Sequence, residues 1–355
     1  MTEEKNGLVI KTFASRTEYI NEDRAYELLR GTGLAPRLEH SFDGRIERRV
    51  VEGQLLSDLI RSSAADAPEM MRLFGLFWGW YDAFRKKTGM VLGKVRFESF
   101  VLSREGLVCT DFEGCRPGSV EKDIASAAAQ LCIKPHPWSE QGMSLAKLFV
   151  LCASEKIKYD PETLCQRMAS VLKAECREAG IKFDETEAEY LSTVCCMAGL
   201  VLAGGKYPVQ SAAKGLMTAP ERFLSVTNDG ADVPGGFEPV RTQLSADDSS
   251  GRVAEILRKV SQPWTLVLST GMPEIPAVLT RALLCAEKDE TEAVMVEAGG
   301  KVRDFPVLLR TGAAVYDLEL GSANGRKTIS GALSRRPVRI VKLEDLEVQA
   351  PHKEV

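Results

Sequence analysis

Cys195-Cys196-Met197-Ala198-Gly199-Leu200-Val201-Leu202-Ala203-Gly204-Gly205 is the stretch from which the C-terminal fold is read, with Lys214 nine residues further on. The apolar run Cys195 to Val201 is bounded by glycines and too short for a typical helix, so it predicts a buried strand. A buried strand ending in two glycines leaves a turn with uncovered backbone N–H groups. Glycine permits positive φ and adds no side chain, so such a turn can wrap a phosphate. A following lysine can supply the charge. A glycine-rich strand end in any α/β domain would show the same spacing.

Residues Leu202 to Lys214 (LAGGKYPVQSAAK) resemble the signature L-A-G-G-x-S-x-R-M-G-x-D-K of the molybdenum cofactor guanylyltransferases. These are nucleotidyltransferases with a Rossmann-like, nucleotide-diphospho-sugar transferase type of fold. Leu202, Ala203, Gly204, Gly205 and Lys214 match in register, and the resemblance implies that they bind nucleotide. Tyr207, Val209, Gln210, Ser211 and Ala213 depart from the pattern, so the loop's bracing Arg and Asp are lost.

At 355 residues the chain is long enough for two domains, and 44% hydrophobic with 27% charged residues is ordinary for a globular protein. A net charge of −4 gives no electrostatic case for nucleic acid or an anionic membrane. No apolar run is long enough to span a bilayer and the N-terminus has no signal-like apolar region. The nine cysteines are scattered without a C-x-x-C, which predicts reduced thiols and a cytoplasmic setting. Three dispersed histidines, His40, His136 and His352, argue against a His-based metal site or a Ser-His-Asp triad.

In the N-terminal half, Leu8 to Lys11 reads as a strand, and Asn21 to Leu29 as a helix ended by Gly31 and Gly33. Asp43-Gly44 marks a hairpin, a further strand runs to Val50-Val51-Glu52-Gly53, and Leu55 opens a helix. Pro68 to Gly89 is an amphipathic helix whose stripe, Met70, Leu73, Phe74, Phe77, Trp78, Tyr81 and Phe84, predicts core. A strand at Leu107 to Thr110 leads into Asp111-Phe112-Glu113, and Ser144 to about Glu187 is read as helical.

This order resembles protein-kinase-like folds of the aminoglycoside phosphotransferase branch. The resemblance implies that Lys11 meets the α/β-phosphates, that Glu22 is its helix partner, that Glu52-Gly53 is the hinge and that Asp111 holds metal. Asp123-Ile124-Ala125 follows as in the family's large lobe. Lys94 stands at the family's base Asp and Ser99 at its metal-binding Asn, and ten residues before Lys11 leave no room for a glycine-rich loop. A lysine does not accept a proton at neutral pH unless its pKa is strongly depressed, and phosphoryl transfer needs a positioned base with metal.

The guanylyltransferase resemblance continues at Gly251 to Leu257, at the strand Trp264 to Leu268 and at Ser269-Thr270-Gly271-Met272-Pro273, where Gly271 takes the place of the family's Mg²⁺-holding Asp. Asp247 and Asp248 are candidate substitutes, Asp248 as a metal ligand. Ala293 to Glu297 and Phe305 to Arg310 resemble the family's paired strands, followed by a last helix, Thr328 to Leu333, and a last strand, Pro337 to Val341. Val226 to Ser250 reads as loop, and the domain is shortened between 214 and 251.

The expectation is therefore an α/β and α+β protein: a two-lobed kinase-like domain, 1–192, followed by a nucleotidyltransferase domain, 193–355. The resemblances imply a GTP-binding or ATP-binding, guanylyltransferase-like protein of molybdenum cofactor biosynthesis. Its partners would be nucleotide, Mg²⁺ and molybdopterin or a molybdoenzyme, and its reaction, where active, GMP transfer to molybdopterin. The alternatives are a regulatory module of pseudokinase and pseudo-transferase, and a kinase-like phosphotransferase.

Overall fold

A computed structural model describes residues 2–5, 7–134, 136–226, 232–272, 277–286, 288 and 290–347. Helix makes up 46% and strand 22%, spread over several sheets, so the mixed α/β class holds. The chain forms two compact units: Met1–Asp160 with Arg167–Phe183, and Pro161–Gln166 with Asp184–Val355. Among the described residues no helix is long and apolar enough to cross a membrane.

The first unit opens with strands β1 (Thr2–Lys5) and β2 (Leu8–Thr12), helix α1 (Arg16–Leu29), and strands β3 (Leu38–Phe42) and β4 (Arg45–Arg49). The four strands form an antiparallel sheet in the order β1-β2-β4-β3, closed by the Asp43-Gly44 turn, where both residues take positive φ. The strand expected to reach Gly53 stops at Arg49. Gly53 instead lies so close to the carbonyl of Leu102 that a Cβ would collide with it.

Next come β5 (Gln54–Leu55), α2 (Leu56–Ser63), α3 (Ala67–Thr88), β6 (Phe100–Leu102) and β7 (Leu107–Cys109). Helix α3 starts where the Asp66 carboxylate accepts from the Glu69 N–H at 3.1 Å, and ends at Gly89, whose left-handed φ of 69° suits glycine. Its aromatic stripe is buried throughout and packs edge-on against Phe97, Phe100 and Phe149. Helices α4 (Val120–Ile133), α5 (Glu140–Lys156) and α6 (Pro161–Ala179) follow. Residues 161–166 of α6 belong to the second unit and the rest to the first.

The second unit begins with α7 (Glu185–Cys195), β8 (Met197–Leu202), α8 (Val209–Lys214), β9 (Glu221–Val226), β10 (Glu238–Arg241), α9 (Ser249–Leu257) and β11 (Trp264–Ser269). It continues with α10 (Ala277–Cys285), β12 (Ala293–Ala298), β13 (Lys301–Arg310), α11 (Thr311–Ala323), α12 (Ile329–Ala332), β14 (Val338–Lys342) and α13 (Leu343–Glu347). Seven strands form one sheet, β10-β9-β8-β11-β13-β12-β14, in which β13 runs antiparallel to both neighbours and the other pairs are parallel. Ala198, Leu200, Leu202 and Val267 share one core with Val253 and Ile256 of α9 and Leu318 of α11. Gly199 points to the other face, where a Cβ would stand 2.8 Å from that of Leu216.

Three sequence expectations need correction here. The apolar run does not begin a strand at Cys195: that residue closes α7, so the expected boundary at 192/193 falls inside a helix. The stretch Val226 to Ser250 is not all loop, because Val226 ends β9, β10 crosses it and α9 starts at Ser249. The helix at Thr328 to Leu333 is not the last one, since α13 follows β14.

Candidate functional site

Two constellations stand out, one in each unit. In the first, Lys11 lies on β2, held in register by Ile46 of β4 on one side and Thr2 of β1 on the other. Glu22 lies on the buried face of α1 with Ala25, Tyr26 and Leu29, at the spacing of a helix stripe. Asp111 follows β7. Lys11 Nζ stands 2.7 Å from Glu22, 2.8 Å from Asp111 and 3.1 Å from Glu113. Arg96 closes the group, 3.4 Å from Asp111 and 3.1 Å from Glu113.

Charge and burial set the protonation of this cluster. Glu22 is fully buried, and burial pushes its carboxyl up to about 7 against the pull of the Lys11 charge. Burial works against the ammonium form of Lys11, but Glu22 and Asp111 outweigh it and hold the amine above its ordinary value. Asp111 is also partly desolvated, yet the Lys11 charge keeps it below the usual carboxylate range. One oxygen of Glu22, Oε1, has no hydrogen-bond partner. Oxygens of Glu22, Asp111 and Glu113 lie within 4.8 Å of one another, a hard-oxygen set suited to a divalent cation such as Mg²⁺.

Lys94, at the expected base position, pairs with Glu178 and lies 3.9 Å from Glu175, both on α6. Its loop is pinned by Asp123, fully buried, which accepts from the Leu92 N–H and the Tyr81 hydroxyl, each at 2.7 Å. The Ser99 carbonyl accepts from the Thr110 N–H at 2.8 Å. Glu52-Gly53 borders a cleft with Ala35, Val51, Leu102 and Val108.

In the second unit, β8 has β9 on one side and β11 on the other, so strand order reverses between β8 and β11. Ligands of open α/β sheets bind outside the carboxyl ends of strands at such a point. The glycine turn lies there, at the end of β8, facing the segment after β11. The Thr270 hydroxyl accepts from the Gly205 N–H at 2.7 Å, and the Thr270 carbonyl accepts from the Tyr207 N–H at 2.9 Å. A Cβ on Gly205 would collide with the Thr270 and Gly271 backbone, so close approach alone demands glycine there. Gly204 has φ +117°.

Sequence reasoning grouped the turn with Lys214. Lys214 borders a cavity lined by Ser211, Leu266, Leu268, Ser269 and Arg281. Arg252 of α9 also reaches the turn, where it donates to the Ala203 carbonyl at 2.8 Å. Leu202 is core.

Asp248, expected as a metal ligand, caps α9 through the Gly251 N–H at 2.9 Å and accepts from the Ser322 hydroxyl at 2.6 Å. Asp247 is exposed and pairs with Lys327 at 3.0 Å; hydrogen bonds from Ser245 and Lys327 push it down to about 2. Gly271 itself brings no carboxylate to the strand end, and Pro273 lies outside the described residues.

Arg252 was missed because Gly251 to Leu257 was read for its alignment. Its signal is a lone arginine on an apolar helix stripe, four residues before Ile256. Glu113 and Arg96 were missed because charges two and fifteen residues from Asp111 do not reveal in sequence that they converge. Compared with known proteins, the chain matches no family model and no curated sequence.

Proposed function

We propose that this chain is a nucleotide-binding protein, guanylyltransferase-like in its second unit and kinase-like in its first, acting as a binding or regulatory module. The observation that carries this reading is the Lys11 amine held at 2.7 and 2.8 Å by Glu22 and Asp111, from segments up to 100 residues apart. A strand lysine, a helix glutamate and an aspartate after a later strand make up the phosphate and metal positions that the kinase resemblance implies.

Mg²⁺, when bound, would neutralise phosphate charge. Asp111 and Glu113 would hold it, and Lys11 would be free to turn to the phosphates of ATP. Lys94, at the expected base position, is paired with two glutamates of α6. At the end of β11, among the described residues, Gly271 provides no metal carboxylate, and Asp247 and Asp248 have other partners. GTP, and molybdopterin as the second ligand, are the expectation for that unit, in keeping with its site at the reversal of strand order.

The test is calorimetric titration of the full chain with ATP and GTP, with Mg²⁺ or EDTA. ATP with Mg²⁺ should bind and lose binding in Lys11→Met, without phosphate release. At 100 times its dissociation constant the ligand should add about 2.7 kcal/mol to stability. Turnover that disappears in Asp111→Asn would establish an enzyme instead, and no binding of any nucleotide would overturn the reading.

A further inference from the structure

Arg252 is 2% exposed, yet none of its hydrogen bonds reaches a carboxylate. Its guanidinium donates to Ala203 O at 2.8 Å, Ser225 Oγ at 3.0 and 3.3 Å, Ser225 O at 3.3 Å and Ala246 O at 3.4 Å. Among the described residues no acid pairs with it: Glu255, three residues on along α9, makes no ion pair with it, and Asp248 and Asp247 are engaged by Gly251 and Ser322, and by Lys327. A buried charge is ordinarily paired, because carbonyl dipoles replace only part of its lost hydration.

The geometry of the turn gives this charge a direction. Ala203 aims its carbonyl inward at Arg252. In a trans peptide the next N–H points the opposite way, so the Gly204 N–H faces outward. Gly204 is exposed, and its N–H donates to no other described group. Nothing at Gly204 screens the guanidinium: a Cβ there would stand 4.0 Å from Arg252 Nη1. Lys206, exposed beside it, adds a second cation at the rim.

We propose that Arg252 makes the glycine turn a metal-independent site for the diphosphate or triphosphate group of a nucleotide. The outward N–H positions the anion, and the buried guanidinium supplies from behind the turn the positive charge that Gly271 cannot recruit as metal. This rests on the nucleotide-binding reading of the second unit and adds to it the source of charge.

The test uses the full chain carrying Lys11→Met, so that the first unit's amine does not contribute. Inorganic pyrophosphate is titrated in EDTA and then with Mg²⁺, and GTP likewise. Pyrophosphate should bind in EDTA, with affinity changed less than threefold by Mg²⁺. Arg252→Met should weaken it at least tenfold, and Arg252→Lys should weaken it less. Binding only with Mg²⁺, or equal binding by Arg252→Met, overturns the inference and leaves the nucleotide reading standing. Failure of both pyrophosphate and GTP to bind overturns both. If circular dichroism shows Arg252→Met unfolded, the metal comparison on the parent and the Arg252→Lys affinity decide.

Discussion

Lys11 and Arg252 are cations at comparable places, each reaching the end of a strand, and their surroundings are opposite. Three carboxylates lie within 3.1 Å of the Lys11 amine. Among the described residues Arg252 donates hydrogen bonds only to carbonyls and a hydroxyl. The first cluster sets Lys11 and Arg96 against three carboxylates and gains little from an anion unless a metal takes over those carboxylates. The second carries a surplus positive charge that an anion satisfies directly. On the proposed reading one chain would hold two ways of meeting a phosphate, differing in what must arrive with it.

The sharpest way to break this comparison is to remove each cation. Lys11→Ala leaves the fully buried Glu22 without its partner and should cost about 3 kcal/mol of unfolding free energy, the penalty for an orphaned buried charge. Lys11→Met combined with Glu22→Met should recover much of that loss. Arg252→Met removes a charge that has no acid partner and should cost less, about 1–2 kcal/mol for the carbonyls it leaves unpaired. Urea denaturation of the variants reads all three, and equal costs for Lys11→Ala and Arg252→Met would erase the distinction.

Gly205→Ala tests whether the turn is held by close packing. Its Cβ would meet the backbone of Thr270 and Gly271, so a loss of about 1–3 kcal/mol is expected, the usual cost of overpacking. An unchanged midpoint would mean that the turn is free to move away from that segment.

The smallest effect concerns Asp123, whose carboxyl is raised by burial against the hydrogen bonds from Tyr81 and Leu92. A carboxyl raised in the folded state binds protons more readily there than when unfolded. Its contribution is therefore full below the ordinary carboxylate pKa and declines as pH rises through the raised value. The stability difference between wild type and Asp123→Asn should drift against wild type as pH rises from 4 through 7. A flat difference would show that Asp123 titrates as it does in the unfolded chain.

What the sequence made legible follows from how local each signal is. The stripe of α3, the turn at Asp43-Gly44 and the strand at Trp264 are written in neighbouring residues, and the structure contains all three. Lys11, Glu22 and Asp111 were readable because each is a distinctive charge at an element's expected position, although their convergence spans 100 residues. Strand β10 was unreadable: Glu238-Pro239-Val240-Arg241 holds a proline, tolerated because the strand lies at the sheet's edge. Arg252 was equally hidden. A sequence does not say that an arginine on an apolar stripe will find carbonyls from two strand ends and no acid.

Helix α6, whose first six residues belong to one unit and the remainder to the other, bears on how this protein is made and how it is divided. During synthesis the second unit's opening piece, 161–166, is made before the first unit's last stretch, 167–183. The first unit has all its residues once Phe183 has emerged, whereas the second has its opening piece waiting, tethered to the first, until the chain from Asp184 onward follows. No single peptide-bond cut yields two whole units either. Cleavage after Phe183 keeps 161–166 with the wrong half, and cleavage after Asp160 takes 167–183 from the first. Separate production of the second unit requires 161–166 to be rejoined to residue 184 by a new linker.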